Sequence, residues 1–251
     1  MNRKNYYIFF LFVLFLSCHA PAHITQVEKH QYAIGSKEYA SVDSTVWQTI
    51  VPYKSKLDAE VDVVIGKTAK ALTKDQPEGL LGNFVTDLVM EISPLYYYPP
   101  GNSKIDFCFL NNGGLRNNIP EGEITRRNIF EVMPFENELV VLSMNGTQIK
   151  QLLKFIVSKG GIPVSNLRMK IKEKAAAGVM INNIPFDSTK IYKAVTSDYL
   201  ANGGDNLFFL AEAKKEYVGL KIRDAIIEYC MKENKQGKLL DSKLDNRIEY
   251  E

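Results

Sequence analysis

Ile105-Asp-Phe-Cys-Phe-Leu110, continued by Asn111-Asn-Gly-Gly-Leu-Arg116, is the stretch on which the reading of this chain turns. Its first half is a short apolar, aromatic-rich run with a single Asp, which suits a mostly buried strand better than a helix. The run stops abruptly. Asn111 and Asn112 tolerate unusual backbone angles, while Gly113 and Gly114 permit positive φ and leave room for a ligand to approach the main chain. Arg116 then sets a planar, permanently charged group with five donors just past the glycines, where it suits a phosphate or carboxylate. Taken alone, the same residues also read as an Asn-Gly turn between two strands with a solvated arginine.

The chain has 251 residues, 45% of them hydrophobic and 24% charged, enough apolar mass for one good-sized core. Thirty-one basic residues face 29 acidic ones for a formal charge of +2, mixed without a basic block. That balance points to neither nucleic acid nor a charged membrane surface as a partner.

Met1 to Asn5 form a basic leader and Tyr6 to Leu16 an apolar run ending at Ser17-Cys18, the pattern of an export signal. The run is well short of the roughly 20 residues a membrane-spanning helix needs. Leu16-Ser17-Cys18 is similar to a bacterial lipoprotein processing site, with residues 1–17 as signal peptide and Cys18 as the lipidated first residue of the mature protein. A plain secretory signal is the alternative. The expectation is an exported protein, anchored by lipid to a bacterial membrane on its periplasmic or outer side. Residues 18–40 are polar and aperiodic and read as a tether, and the folded domain is assigned to residues 41–251.

Two cysteines follow the tether. Cys108 falls in the apolar strand and Cys230 on an apolar helical face, which predicts two buried free thiols rather than a disulfide. All three histidines, His19, His23 and His30, precede the folded region. Residues 31–251 therefore cannot assemble a histidine-ligated metal site or a histidine general base. Aspartates and glutamates show no metal-ligand spacing, and no Ser or Cys stands in a nucleophile elbow or a phosphate-binding P-loop.

Along the chain, Val46, Trp47, Ile50, Val51, Tyr53 and Leu57 recur at near-helical spacing after Ser44, which predicts an amphipathic helix capped there. Val61–Gly66 reads as a strand and Thr73–Glu78 as a loop broken by Pro77. From Glu78 a helix is predicted with Leu81, Val85, Leu88 and Val89 on one face. Glycine in a helix costs about 1 kcal/mol against alanine, so Gly82 reads as close packing or close ligand approach, with a frayed first turn as the alternative. The Tyr96–Gly101 stretch reads as an aromatic and proline loop able to cover the surface. Thr125 is expected to cap a short helix that Pro134 ends, and Phe135 follows at once, either as a core ring or on a rigid lip before a strand Leu139–Met144. Asn145-Gly146 reads as a turn. Ile149, Leu152, Leu153, Ile156 and Val157 predict a helix on a sheet, stopped by Gly160-Gly161. Strands are predicted at Val164–Ile171 and Val179–Ile184, joined by a charged loop, and again from Tyr192 to Ser197. That last strand runs into a second glycine loop, Tyr199-Leu-Ala-Asn202-Gly203-Gly204-Asp205. A final amphipathic helix carries Ile222, Ala225, Ile226, Tyr229 and Cys230, and Arg247–Tyr250 reads as an edge strand.

Together these motifs resemble the C-terminal domain of the 5'-nucleotidase family. The resemblance rests on Glu78 with Leu81-Gly82-Asn83, Leu110-Asn-Asn-Gly-Gly-Leu-Arg116, Met133-Pro-Phe135, Val164-Ser-Asn-Leu-Arg168 and Tyr199-Leu-Ala-Asn-Gly-Gly-Asp205, in the family's order. It runs from about Ser41 to the end and implies an α+β fold, a mixed sheet flanked by amphipathic helices, that holds a nucleotide's base and ribose. By resemblance, Phe135 and Tyr199 match the two aromatics that sandwich the base, tyrosine standing where phenylalanine is common. Asn111 matches an asparagine near the base, Arg116 an arginine on the phosphate side, and Asp205 the carboxylate that accepts from the ribose hydroxyls. Gly113, Gly114, Asn202, Gly203 and Gly204 complete the implied substrate-binding set.

This sequence departs from the family in two places. A further phosphate-side arginine of many members appears here as Pro77, with Lys74 nearby. The metal-ligand motifs of the family's hydrolytic domain, which precedes this one in the same chain, are missing from the sequence. The chain is therefore expected to hold no cofactor and to carry no catalytic residue of its own, divalent metals belonging to a partner. Two readings follow. One is a nucleoside- or nucleotide-binding lipoprotein that completes a nucleotidase with a separate metallophosphatase chain. The other is a stand-alone binder without hydrolysis.

Overall fold

The structure is a computed structural model that describes residues 26–29, 43–99 and 103–251. The signal peptide, Cys18 and most of the tether lie outside the described residues. The chain divides into two compact units, residues 1–50 and 51–251. In the first unit the described residues include the opening turns of helix α1 (Ser44–Val61). Asp43, not Ser44, caps it, its carboxylate accepting from the backbone N–H groups of Thr45 and Val46 at 2.9 and 3.2 Å. Asp is as good an N-cap as Ser, and here it stands one residue earlier. The expected helix forms, yet its apolar stripe stays exposed at Val46, Trp47, Ile50, Tyr53 and Leu57.

The second unit continues α1 and contains the sheets found among the described residues. Strand β1 (Val64–Thr68) begins later than predicted because Val61 still belongs to α1. Helix α2 (Leu80–Tyr96) is buried on nearly every side rather than along one stripe. Gly82 in its first turn is packed closely, since a Cβ there would lie 3.0 Å from Pro163 Cγ. Then follow β2 (Phe107–Phe109), β3 (Gly122–Thr125), α3 (Arg126–Val132), β4 (Glu138–Met144) and α4 (Gly146–Ser158). Thr125 caps α3 as expected, in a reciprocal exchange with Asn128. Asn145-Gly146 is not a turn but another such cap. Asn145 and Gln148 each accept from the other's backbone N–H at 3.0 Å.

β5 (Val164–Ser165) and β6 (Leu167–Lys172) come next. The single strand predicted over Val164–Ile171 is split by Asn166, whose φ of 59° sends the two halves into different sheets. β7 (Ala175–Ile181) follows after a reversal confined to Glu173 and Lys174, both at positive φ. The three alanines expected in a charged loop are therefore strand residues, because a two-residue hairpin turn needs no longer connection. β8 (Ile184–Pro185), β9 (Tyr192–Ser197), α5 (Asp198–Ala201), β10 (Lys214–Lys221), α6 (Ile222–Lys235) and β11 (Ile248–Tyr250) complete the domain.

Among the described residues three sheets form where one was expected. β1 and β3 form an antiparallel pair, β10-β4-β9-β2-β5 a mixed five-stranded sheet, and β11-β6-β7-β8 a mixed four-stranded sheet with β11 on its edge. Side chains alternate across the five-stranded sheet. Cys108, Leu139, Val141 and Val195 pack with α2 and α6, whereas Phe107, Phe109, Val140, Leu142 and Ala194 pack with α4 and the four-stranded sheet. Cys108 and Cys230 are buried, free thiols. Burial pushes the Cys230 thiol up to about 12 and the Cys108 thiol well above its ordinary value.

Candidate functional site

Sheet direction brings the chain's loops together. β2 and β9 are adjacent and parallel, with Phe107 opposite Ala194 and Cys108 opposite Val195. The two glycine loops that follow them therefore emerge at the same end of the sheet. β4 runs antiparallel to β9, with Leu139 opposite Ser197, so the segment entering β4 arrives at that end too. That segment carries Phe135. Three pieces distant in sequence thus meet where ligands commonly sit in α/β sheets, beyond the carboxyl ends of parallel strands.

A cavity of about 340 Å³ opens there, lined by Asn111, Gly113, Gly114, Arg116, Phe135, Asn137, Tyr199 and Asp205. Seven of these are residues singled out in the sequence. Phe135 and Tyr199 are 41% and 46% exposed, so large parts of both rings face solvent without a covering side chain. Asn111 joins the two loops, its amide donating to Asp205 Oδ2 at 2.8 Å. The Tyr199 hydroxyl donates to Asp205 Oδ1 at 2.8 Å and accepts from the Asp205 backbone N–H at 3.2 Å. Arg116 holds a looser position, with Nη1 donating to the Gly113 carbonyl at 3.3 Å. Among the described residues no carboxylate pairs with it, which leaves most of its donors for a ligand.

Local backbone explains part of this arrangement and corrects part of the sequence reading. Gly113 and Gly114 lie in a short 3₁₀ turn, Asn112–Gly114, and neither has positive φ. Gly114 instead makes room for a side chain, since a Cβ there would stand 2.9 Å from Asn111 Oδ1. The second loop is where positive φ is needed, at Gly203 (95°) and at Asp205 itself (54°). Gly204 lies under the Tyr199 ring, where a Cβ would fall 2.5 Å from Cε1. Asn202, Gly203 and Gly204 shape the loop and do not line the cavity; Asn202 is exposed and ends α5. Asn137 does line it and was not picked out by sequence reading. No local pattern marks it, because Phe135 stands in a bend and the two-residue spacing does not by itself place Asn137 beside it.

Lys74, near the position of the absent family arginine, donates to the Leu115 and Arg116 carbonyls at 3.0 and 3.4 Å. It props the first loop from behind. Glu78, Asn83 and Arg168 lie outside the cavity. Glu78 accepts from Asn83 and from the Asp245 N–H, and Arg168 pairs with Asp245 at 2.7 Å. Arg247 joins this network by a two-pronged contact with Asp87, both bonds 2.7 Å, and fastens the C-terminal strand to α2. Among the described residues no three His, Cys, Asp or Glu side chains converge as a metal site requires, and no helix is long and apolar enough to cross a membrane.

A mixed sheet with two glycine loops and an aromatic lip around one open cavity defines an α+β domain of a recognisable kind. The chain belongs to the 5'-nucleotidase family: residues 60–212 match its C-terminal domain. The UshA proteins of Yersinia enterocolitica and Escherichia coli are 25% and 26% identical to it over 194 and 184 residues. These matches take in 70% and 69% of this chain but 34% and 32% of the relatives, so the chain spans about a third of their length. Among solved structures, the 5'-nucleotidase precursor of Thermus thermophilus superposes with a TM-score of 0.70 at 25% identity, over 83% of this chain and 43% of that one. The NAD nucleotidase of Haemophilus influenzae shares the fold, with a TM-score of 0.63 at 19% identity over 83% of this chain and 41% of its own.

Proposed function

We propose that this chain binds nucleosides or nucleotides in the cavity between its two glycine loops and serves nucleotide hydrolysis together with a separate metallophosphatase chain. The observation that carries the reading is the convergence of two open aromatic rings, Phe135 and Tyr199, with the Asp205 carboxylate and the Arg116 guanidinium, most of whose donors remain open, around one opening. A flat base suits flat π faces, a ribose diol suits a carboxylate acceptor, and a phosphate suits a guanidinium. Gly113, lining the opening without a side chain, lets a ligand come close to the first loop. Membership of the family, and relatives named as 5'-nucleotidases, supply the substrate class. Hydrolysis is assigned to the partner because, among the described residues, no cluster of His, Cys, Asp or Glu gathers to hold the divalent metals that the family's chemistry implies. An export signal over residues 1–17 and lipid on Cys18 would hold the domain at a bacterial membrane, with residues 18–40 as its tether.

Calorimetry with a panel of nucleosides and nucleoside monophosphates tests the binding. Phe135→Ala and Tyr199→Ala should each weaken affinity by roughly one to two orders of magnitude, the scale of a lost base-stacking ring. Equal affinity of wild type and both variants would remove the cavity from consideration. Phosphate release should appear only when a metallophosphatase chain is added. Metal-dependent release that purifies with this chain alone would overturn the division of labour.

A further inference from the structure

Asp205 is held from both of its oxygens before any ligand arrives: Tyr199 donates to Oδ1 and Asn111 to Oδ2, each at 2.8 Å. The Tyr199 hydroxyl also takes the Asp205 N–H at 3.2 Å, closing a small ring between the phenol and the aspartate. This ring ties the edge of an exposed aromatic platform to a carboxylate whose backbone sits at a φ of 54°. A carboxylate oxygen has two acceptor sites, so each one bonded here keeps a second site for a hydroxyl.

We propose that Tyr199 is a specificity-determining residue whose hydroxyl fixes the Asp205 carboxylate for a vicinal diol, so that the cavity selects ribonucleosides over sugars lacking that diol. The inference rests on the nucleoside reading of the cavity and goes beyond it, because stacking alone needs only the ring. Without the hydroxyl, Asp205 keeps Asn111 as its remaining side-chain donor and must be ordered by the ligand, at the ligand's cost in affinity. A dideoxy sugar makes no use of that order and is indifferent to its loss.

The experiment is a calorimetric double-mutant cycle on Tyr199→Phe and Asp205→Asn, each titrated with a ribonucleoside and with the matching 2',3'-dideoxynucleoside. Tyr199→Phe should weaken the ribonucleoside roughly 3- to 10-fold, the scale of one hydrogen bond, and leave the dideoxynucleoside within about twofold. Asp205→Asn should weaken the ribonucleoside too, and the double variant should lose less than the two single losses combined. A general disturbance of the fold would weaken both ligands alike and count against the proposal. An unchanged ratio in Tyr199→Phe, a tighter ribonucleoside, or additive losses in the cycle would each overturn the role of the hydroxyl and leave the cavity reading intact. Failure of wild type to bind either ligand would overturn both.

Discussion

Arg223 donates to the Glu136 carboxylate and, at 3.3 Å, to the carbonyl of Pro134, so a single buried guanidinium holds the residues on either side of Phe135. The same guanidinium stacks 4.3 Å from the Phe130 ring. The N–H of Ile222 adds a bond to the Asn137 carbonyl at 2.9 Å, so the start of α6 carries the whole lip. Arg223→Met keeps apolar bulk under Phe130 and removes both polar anchors. We expect it to reduce nucleoside affinity a few-fold, a loss on the order of 1 kcal/mol or less, with the aromatic ring still present. Calorimetry showing no change would mean that Pro134 and the Ile222 backbone bond are enough to fix the lip.

Glu136 and Glu216 are two of the carboxylates through which acid should act on the fold. Contacts with Lys221 first and Arg223 second hold Glu136 down at about 2, and Lys193, followed by the Tyr97 hydroxyl, holds Glu216 down at about 2. A group whose folded value lies below its ordinary one stabilises the folded state above the ordinary value and loses that contribution as pH falls toward the folded one. The window is therefore from about 4.5, the ordinary glutamate value, down to about 2. Denaturant midpoints taken between pH 6 and pH 3 should fall in wild type and fall less steeply in Glu216→Gln. Parallel curves for the two proteins would show that this carboxylate is not among the groups acid acts on.

Cys108 and Cys230 should resist thiol reagents in the native protein. Both are fully buried, and burial raises both thiols, so little thiolate is present at neutral pH. Reaction with a chromogenic disulfide reagent should be slow in buffer and rapid in denaturant. Prompt native labelling of either residue would indicate that α2 and α6 open readily around it.

Much of the site could be read before the fold was known, and the reason is chemical. Asn111, Arg116, Phe135, Tyr199 and Asp205 belong to loops whose glycines and prolines punctuate the sequence, and such punctuation survives without tertiary context. The strong periodicities of α4 and α6 and the apolar run of β2 were legible for a similar reason. The three-sheet arrangement was not, because it depends on single backbone angles, such as the positive φ of Asn166 between β5 and β6. β10 was missed because its Lys214-Lys-Glu-Tyr segment reads as polar loop, although charged residues suit the edge strand it turned out to be. Only the sheet register could reveal Asn137 at the cavity.

Two glycines should separate stability from binding. A Cβ at Gly146 would stand 2.1 Å from the Ser188 carbonyl oxygen, and backbone cannot swing aside, so Gly146→Ala must displace the start of α4 from its neighbour. We expect a loss of about 1–3 kcal/mol in stability, the range of overpacked sites, with nucleoside affinity of the folded fraction unchanged, because Gly146 lies outside the cavity. At Gly204 a Cβ would meet Tyr199 Cε1 at 2.5 Å and Cζ at 2.6 Å, and also the Tyr199 carbonyl oxygen at 2.6 Å. The half-exposed ring can tilt outward to relieve the first two contacts, and in doing so it leaves both the stacking position and the Asp205 carboxylate. Gly204→Ala should therefore weaken ribonucleosides and dideoxynucleosides together, by roughly tenfold or more, the scale of a displaced base-stacking ring. The carbonyl contact should add a smaller cost in stability. Thermal unfolding and calorimetry on the two variants decide the matter: if Gly204→Ala binds as wild type does, the ring does not need the space that this glycine leaves.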